Sequence, residues 1–259
     1  MVRKWSQTVR LDWLSIVTKA DGTGRFTTPP QLKQDALDNV ELFEMLLREK
    51  NIYGLGSSYA DNYTWQKYLN SPHSCDPDFS IHRPIQGSKV FVLSGLPGMG
   101  KDYWARRHHP DLPMLSYDDM REEMGVSHGE SVGEVIHAVW DQAKELLRAR
   151  SDFVWNATHL SQSMRKKALD LLWNYDAEVE LVYLEVSQEN VWRTQNRQRH
   201  SKAVPDKALD QLLWKWEPPT PREAEYVSYW IDGVNQTHLY HQLLNLQPAL
   251  SPQTVPDVM

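Results

Sequence analysis

The sequence predicts an α/β fold, a mainly parallel sheet flanked by helices and preceded by a small all-helical module. Three observations carry this. From about residue 90 onward, short apolar runs alternate with stretches at helical spacing. The first such run, Val90-Phe91-Val92-Leu93, leads into a glycine-rich turn, GLPGMGKD (residues 95–102), and then a helix start. Residues 1–85 read as helices only, and residues 71–89, with Pro72, Pro77, Pro84 and Gly87, read as a linker. The expected domains are a helical module with linker (1–85), the sheet-bearing domain (86–233) and a C-terminal tail (234–259).

In chain order, the first expected helix covers residues 5–19, with Trp5, Val9, Trp13, Ile16 and Val17 near one face, and is ended by the glycines of residues 19–25. Pro29 and Pro30 precede a second helix over 31–50. Its stripe is Ala36, Val40, Phe43, Leu46 and Leu47, and Asp35, Asp38, Glu41 and Glu44 form its solvated side. A short helix is expected over 60–69. Strands are then expected at 90–94, 113–116, 153–155, 179–184 and 226–231, with helices at 102–109, 131–150, 162–175, 189–199 and 205–216. The polar, proline-containing segment 248–259 reads as disordered.

Composition narrows the function classes. With 41% hydrophobic and 24% charged residues the chain is of ordinary globular type, and its 259 residues fit one large domain or two small ones. A net charge of −6 excludes a global basic field, so any polyanion has to be met by a local patch. The single cysteine, Cys75, excludes an internal disulfide and fits a reducing, cytoplasmic setting. No apolar h-region follows the charged start, and no apolar run is long enough to span a bilayer, so neither a signal peptide nor a membrane is expected.

Gly95, Gly100 and Lys101 satisfy G-x-x-x-x-G-K. Glycines let backbone N–H groups crowd around phosphate oxygens, and the helix N-terminus adds positive potential there. Pro97, Gly98 and Met99 complete the loop, and Lys101 reaches the outer phosphates. Asp102 stands where Ser or Thr is usual. It is either a Mg²⁺ partner, direct or through water, or an acid favoured by the helix dipole, and the two are compatible.

In an open parallel sheet the strand tips converge on one crevice. The tips here carry Lys101 and Asp102, Asp118 and Asp119, and Asn156 and Thr158. A carboxylate beside a phosphate loop suits phosphoryl transfer, and Asp118 is the candidate base. The competing reading makes Ser116 or Asp118 a helix cap. Arg121, three residues on, is either a grip for an anionic substrate or an i,i+3 ion pair. Residues 193–202, RTQNRQRHSK, hold four Arg or Lys and no acid, which suits a phosphate-clamping lid as well as a solvated basic helix.

Together the loop, SYDDMR (116–121) and RHSKAVP (199–205) resemble the 5′-hydroxyl polynucleotide kinases, which are P-loop phosphotransferases. The resemblance implies a P-loop NTPase-type fold and ATP- and Mg²⁺-dependent transfer to the 5′-OH ends of single-stranded RNA or DNA in repair. It makes Lys101 the loop lysine, Asp118 the general base, Arg121 the grip on the acceptor's phosphate and Arg199 the lid arginine on the ATP phosphates. The likeness is closest to kinase modules fused behind an HD-type phosphohydrolase domain in bacterial repair proteins. GLPGMGKD, WNATHL (155–160) and KWEPPTPREA (215–224) are similar to that branch, with His159 standing where Asn is expected. It spans residues 89–233 strongly. It extends weakly to TKADGTGR (18–25), which resembles the last HD helix. An HD site needs an adjacent His-Asp pair, and the chain has none. Asp21 corresponds to the final metal ligand without its partners. Residues 1–85 therefore resemble an HD remnant, expected to lack phosphohydrolase activity by itself, with a homo-oligomer or an HD-bearing partner chain left open. The competing readings are a P-loop kinase of a small-molecule hydroxyl or a tRNA, and a non-catalytic nucleotide-binding subunit serving an HD phosphohydrolase.

Overall fold

A computed structural model describes residues 2–6, 9–26, 29–54, 59–71, 75–83, 87–126, 131–199 and 202–243. Much of the expected linker and most of the tail, including 248–259, lie outside these. The chain divides into two compact units, Met1–Ile81 with His241–Met259, and His82–Tyr240.

In the first unit, helices α1 (Val2–Trp5), α2 (Leu11–Gly24), α3 (Pro30–Glu49) and α4 (Asn62–Asn70) are observed. Pro30 opens α3 where its missing N–H costs nothing, and Asp61 caps α4 by accepting from Thr64 N. The single helix expected over 5–19 is instead two, and the second runs through its expected glycine stop to Gly24. Helix packing overrides propensity here. A Cβ on Gly22 would stand 3.4 Å from the Leu37 side chain of α3, an ordinary contact distance, so this part of α2 lies directly against α3. The expected apolar face is also displaced. Leu11, Asp12 and Ser15 are buried, whereas Trp13, Ile16 and Val17 are 62%, 57% and 64% exposed. Leu11 packs with Leu47 and Ile52.

The second unit is of P-loop NTPase type. Strands β1 (Lys89–Ser94), β2 (Met114–Ser116), β3 (Phe153–Asn156), β4 (Glu178–Glu185), β5 (Tyr226–Ile231) and β6 (Val234–Asn235) form one sheet in the order β2-β3-β1-β4-β5-β6. All pairings are parallel except β5 with β6. Helices α5 (Lys101–His108), α6 (Tyr117–Met124), α7 (Val132–Arg148), α8 (Gln162–Asn174), α9 (Glu189–Arg197) and α10 (Asp206–Leu213) follow in sequence, and α11 (Thr237–Leu243) begins in this unit. The short β6 strand carries the sheet unit beyond residue 233.

Alternation along each strand explains the two faces. Val90, Val92, Phe153, Trp155, Val179 and Leu181 pack against Val139, Ala143 and Leu147 of α7 and Ala168, Leu169 and Leu172 of α8. On the other face Phe91, Leu93, Val154 and Val182 meet Trp104 and Ala105 of α5. Because β1 is central, with β3 on one side and β4 on the other, its carboxyl end opens at the point where the chain changes direction across the sheet.

Candidate active site

The loop after β1 is shaped by three close approaches. Gly95 N donates to Thr158 O at 3.0 Å, and a Cβ on Gly95 would lie 2.5 Å from Leu184 O. Gly98 has φ +84°, and a Cβ there would stand 3.0–3.1 Å from backbone and side chain of Asn196 on α9. Gly100, at φ +81°, turns the chain into α5. Met99 is buried with Leu96, Leu160, Trp192 and Leu209. Trp192 Nε1 donates to Pro97 O at 2.7 Å, so α9 holds the loop by both a hydrogen bond and packing.

Lys101 is folded back onto this loop. Its Nζ donates to the carbonyls of Gly95 and Leu96, each at 2.9 Å. Burial, reinforced by the charge of Arg199, lowers its pKa to about 8, against the opposing pull of Asp102 and Asp118. Asp102 accepts a hydrogen bond from Asn156 Nδ2 at the tip of β3, and the same amide approaches Met114 Sδ at 3.6 Å. The first-turn acid is therefore fixed across the sheet as well as favoured by the helix dipole.

At the tip of β2, Ser116 caps α6, its Oγ accepting from Asp118 N at 3.2 Å and Asp119 N at 3.3 Å. The cap uses the serine, which leaves the Asp118 carboxylate for other partners. Arg121 Nη1 donates to Asp118 Oδ1 at 2.7 Å, and Arg199 Nη2 lies 3.7 Å from Oδ2. The ion-pair reading of Arg121 thus describes its resting contact, and Asp118, Arg121 and Arg199 are brought together.

The basic cluster does not act as a block. Arg193 pairs with Glu189 at 2.8 Å and Asp210 at 2.6 Å, and Arg197 with Asp206 at 2.8 Å. Acids outside the 193–202 window satisfy both, as the solvated-helix reading of these two arginines expects. Lys202 turns to Asp119 at 2.8 Å.

Several residues that shape the site were not singled out by the sequence. Asn196 is fully buried and bonds Val204 twice, donating to its O at 2.7 Å and accepting from its N at 3.2 Å. Its spacing of four from Trp192, a polar residue on the buried face of α9, was the available signal. Arg165, also fully buried, pairs with Glu223 at 2.6 Å and donates to the carbonyls of His159, Leu160 and Glu217. It ties WNATHL to KWEPPTPREA. His159 is buried at φ +40°, with Nδ1 donating to Leu93 O at 2.8 Å. Burial lowers its pKa to about 4, so it is a neutral structural strut at neutral pH.

No group of three or more His, Cys, Asp or Glu suited to a metal occurs among the described residues, and no helix among them is long and apolar enough to cross a membrane.

A family model described as an AAA domain matches residues 90–219. No curated protein matches the chain. Among solved structures, a putative kinase from Chloroflexus aurantiacus is 16% identical, with a TM-score of 0.47, covering 62% of this chain and 96% of that one. The Pnkp1/Rnl/Hen1 RNA repair complex is 18% identical, with a TM-score of 0.46, covering 54% of this chain and 50% of the matched chain. The Mycobacterium tuberculosis APS kinase CysC, in complex with AMPPNP and APS, is 14% identical, with a TM-score of 0.43, covering 62% of this chain and 98% of that one.

Proposed function

Since the chain belongs to the AAA-domain family matched over residues 90–219, we propose that it is a P-loop phosphotransferase and, more specifically, an ATP-dependent 5′-hydroxyl polynucleotide kinase. The observation that carries the reading is one carboxylate, Asp118, held between two guanidiniums, Arg121 and Arg199, at the strand tips beside the phosphate loop. A base for a hydroxyl and cations for two separate phosphates are what transfer from a nucleotide to a polyanionic end requires.

The donor triphosphate lies along residues 95–102. Lys101 exchanges the Gly95 and Leu96 carbonyls for phosphate oxygens, and that exchange restores a full cation where burial had weakened it. Arg199 leaves Asp118 for the donor phosphates. Arg121 leaves it for the phosphate that follows the 5′ nucleoside of the acceptor. Asp118, freed of both, accepts the proton of the 5′-OH as its oxygen attacks the γ-phosphorus in line with the leaving ADP oxygen. Mg²⁺ is commonly held by one or two carboxylates plus substrate phosphates, without an all-protein cage, and the Asp102 carboxylate oriented by Asn156 suits that donor set. A Mg²⁺ held there would supply charge neutralisation of the donor phosphates.

The test is phosphate transfer from labelled ATP to matched 5′-OH RNA and DNA oligonucleotides, with nucleosides and sugars as comparison acceptors. Label on the oligonucleotide end supports the reading. Label on a small hydroxyl alone replaces it with the small-molecule kinase, and nucleotide binding without any transfer replaces it with a nucleotide-binding subunit. Residues 1–85 remain, on the same proposal, an HD-like remnant. In it Asp21 is paired with Arg25 at 2.8 Å.

A further inference from the structure

Lys202 joins two elements that the chain otherwise connects only at a distance. Its Nζ lies 2.8 Å from Asp119 Oδ1 and 3.6 Å from Glu122 Oε1, both on α6, the helix that carries Asp118 and Arg121. The hydrogen bond to Asp119, with Glu122 and Asp118 adding to it, raises the Lys202 pKa. On the other side, Lys202 N donates to Arg199 O at 3.0 Å, so the lysine is tied through its backbone to the arginine that faces Asp118. Behind them Asn196 pins Val204, and Trp192 pins the loop. Arg199 and Lys202 thus follow a helix that holds the phosphate loop, and the lysine is tied in turn to α6.

We propose that Lys202 is a positioning residue, a latch that clasps Asp119 and Glu122 and so sets Arg199 over the reaction site. This deepens the polynucleotide kinase reading and rests on it. The chemistry of the latch is complementary to that of Arg199. Arg199 has to leave Asp118 to reach donor phosphates, and a second cation bound to the neighbouring acids keeps the segment close while it does so. The pair Asp119–Lys202 therefore stays closed through the cycle, and the pair Asp118–Arg199 opens.

The experiment is a charge exchange in the full chain, with K202E, D119K and the double variant read in two ways. Amide hydrogen exchange at residues 199–204 is measured without nucleotide, and kcat and KM are measured for ATP and a 5′-OH oligonucleotide. Each single variant is expected to speed exchange of those amides by about fivefold and to lower kcat by about tenfold. The oligonucleotide KM should change less than kcat. The double variant, with the charges swapped, is expected to recover most of both losses. A merely structural pair would change amide exchange without the fall in kcat at saturating substrates. Single variants that leave exchange at 199–204 unchanged, or a double variant no better than its parents, overturn the latch. Exchange that follows the charge cycle in a protein labelling no oligonucleotide supports the latch and removes the kinase reading. Labelling that persists while exchange ignores the charges removes the latch alone.

Discussion

Asp118 Oδ1 accepts a hydrogen bond from Arg121 Nη1 at 2.7 Å within one turn of α6, so the carboxylate read as the base rests against the arginine read as the acceptor grip. The guanidinium occupies the oxygen that a hydroxyl would approach, until it finds another anion. Asp118→Asn keeps the shape and the Ser116 cap but cannot take a proton. It is expected to lower phosphate transfer by roughly 10²–10⁴-fold while nucleotide affinity stays within about threefold. Single-turnover transfer and nucleotide titration on the same protein measure this, and transfer near the wild-type rate removes Asp118 from its role.

Among the described residues the buried Arg121 Nε has no partner, so the guanidinium has donor capacity that Asp118 does not use. On the proposed reading a phosphate oxygen of the acceptor satisfies it. Arg121→Ala is expected to raise the oligonucleotide KM by about 10- to 100-fold, the equivalent of one charge-assisted hydrogen bond of about 1.5–3 kcal/mol. Arg121→Lys should recover little, since a point charge does not reproduce a planar fork. Arg199→Ala should instead raise the KM for ATP. Steady-state kinetics with each substrate varied separate the two arginines, and equal effects on both substrates contradict the division of labour.

The site was legible where chemistry is local in sequence. The loop, its lysine and the Asp118–Arg121 spacing are each contained in a short window, and the alternation of apolar runs located β1 to β5. What was hidden depends on residues far apart. Arg193 and Arg197 look free in their own segment and are taken up by Asp206 and Asp210. Asn156 reaches Asp102 only because β3 lies beside β1. The face of α2 was misplaced because periodicity gives a stripe but not the position of its neighbour. Leu11 is buried against Leu47 of α3 and Ile52, and Trp13 is left outside.

The lowered pKa of Lys101, about 8, has a direct consequence for pH dependence. Phosphate needs the ammonium form, and in the free protein that form is lost as pH rises through about 8. The profile of kcat/KM for ATP is expected to fall on its alkaline side with a midpoint near this value. The profile of kcat, which reports the nucleotide-bound state, should fall at higher pH because phosphates favour the cation. Lys101→Arg should remove the limb from whatever activity remains. A kcat/KM for ATP that stays flat to pH 9.5 contradicts the assignment.

His159 gives the opposite limb in stability. Its pKa is about 4 in the folded chain and 6.5 as an ordinary histidine, so between these values the unfolded chain binds more protons. Stability contributed by the neutral ring is complete above about pH 6.5 and is lost as pH falls toward 4. His159→Asn removes the titration and leaves a donor for Leu93 O. Denaturant titrations at pH 7 and pH 5 should show a smaller loss in the variant, by about 1–2 kcal/mol. An equal loss in both proteins shows that other groups carry the acid sensitivity.

Asp102 decides between its two readings through a variant that removes the carboxylate and one that loosens it. If the acid only complements the dipole of α5, Asp102→Ala costs about 0.3–1 kcal/mol of stability and leaves the metal dependence of transfer unchanged. If the carboxylate helps hold Mg²⁺ on the phosphates, the same variant raises the Mg²⁺ concentration for half-maximal transfer. Asn156→Ala, which removes the amide that orients Asp102, then raises it by about tenfold. Asp102→Ser, which supplies a hydroxyl at the same first-turn position, should recover part of the loss. Transfer rates against Mg²⁺, with Mn²⁺ binding followed by electron paramagnetic resonance beside a non-hydrolysable ATP analogue, measure both arms. The dependence of Asn156→Ala is the sharper of the two. A dipole effect has no reason to respond to a residue on β3, whereas a metal partner loses its orientation when that residue is cut back.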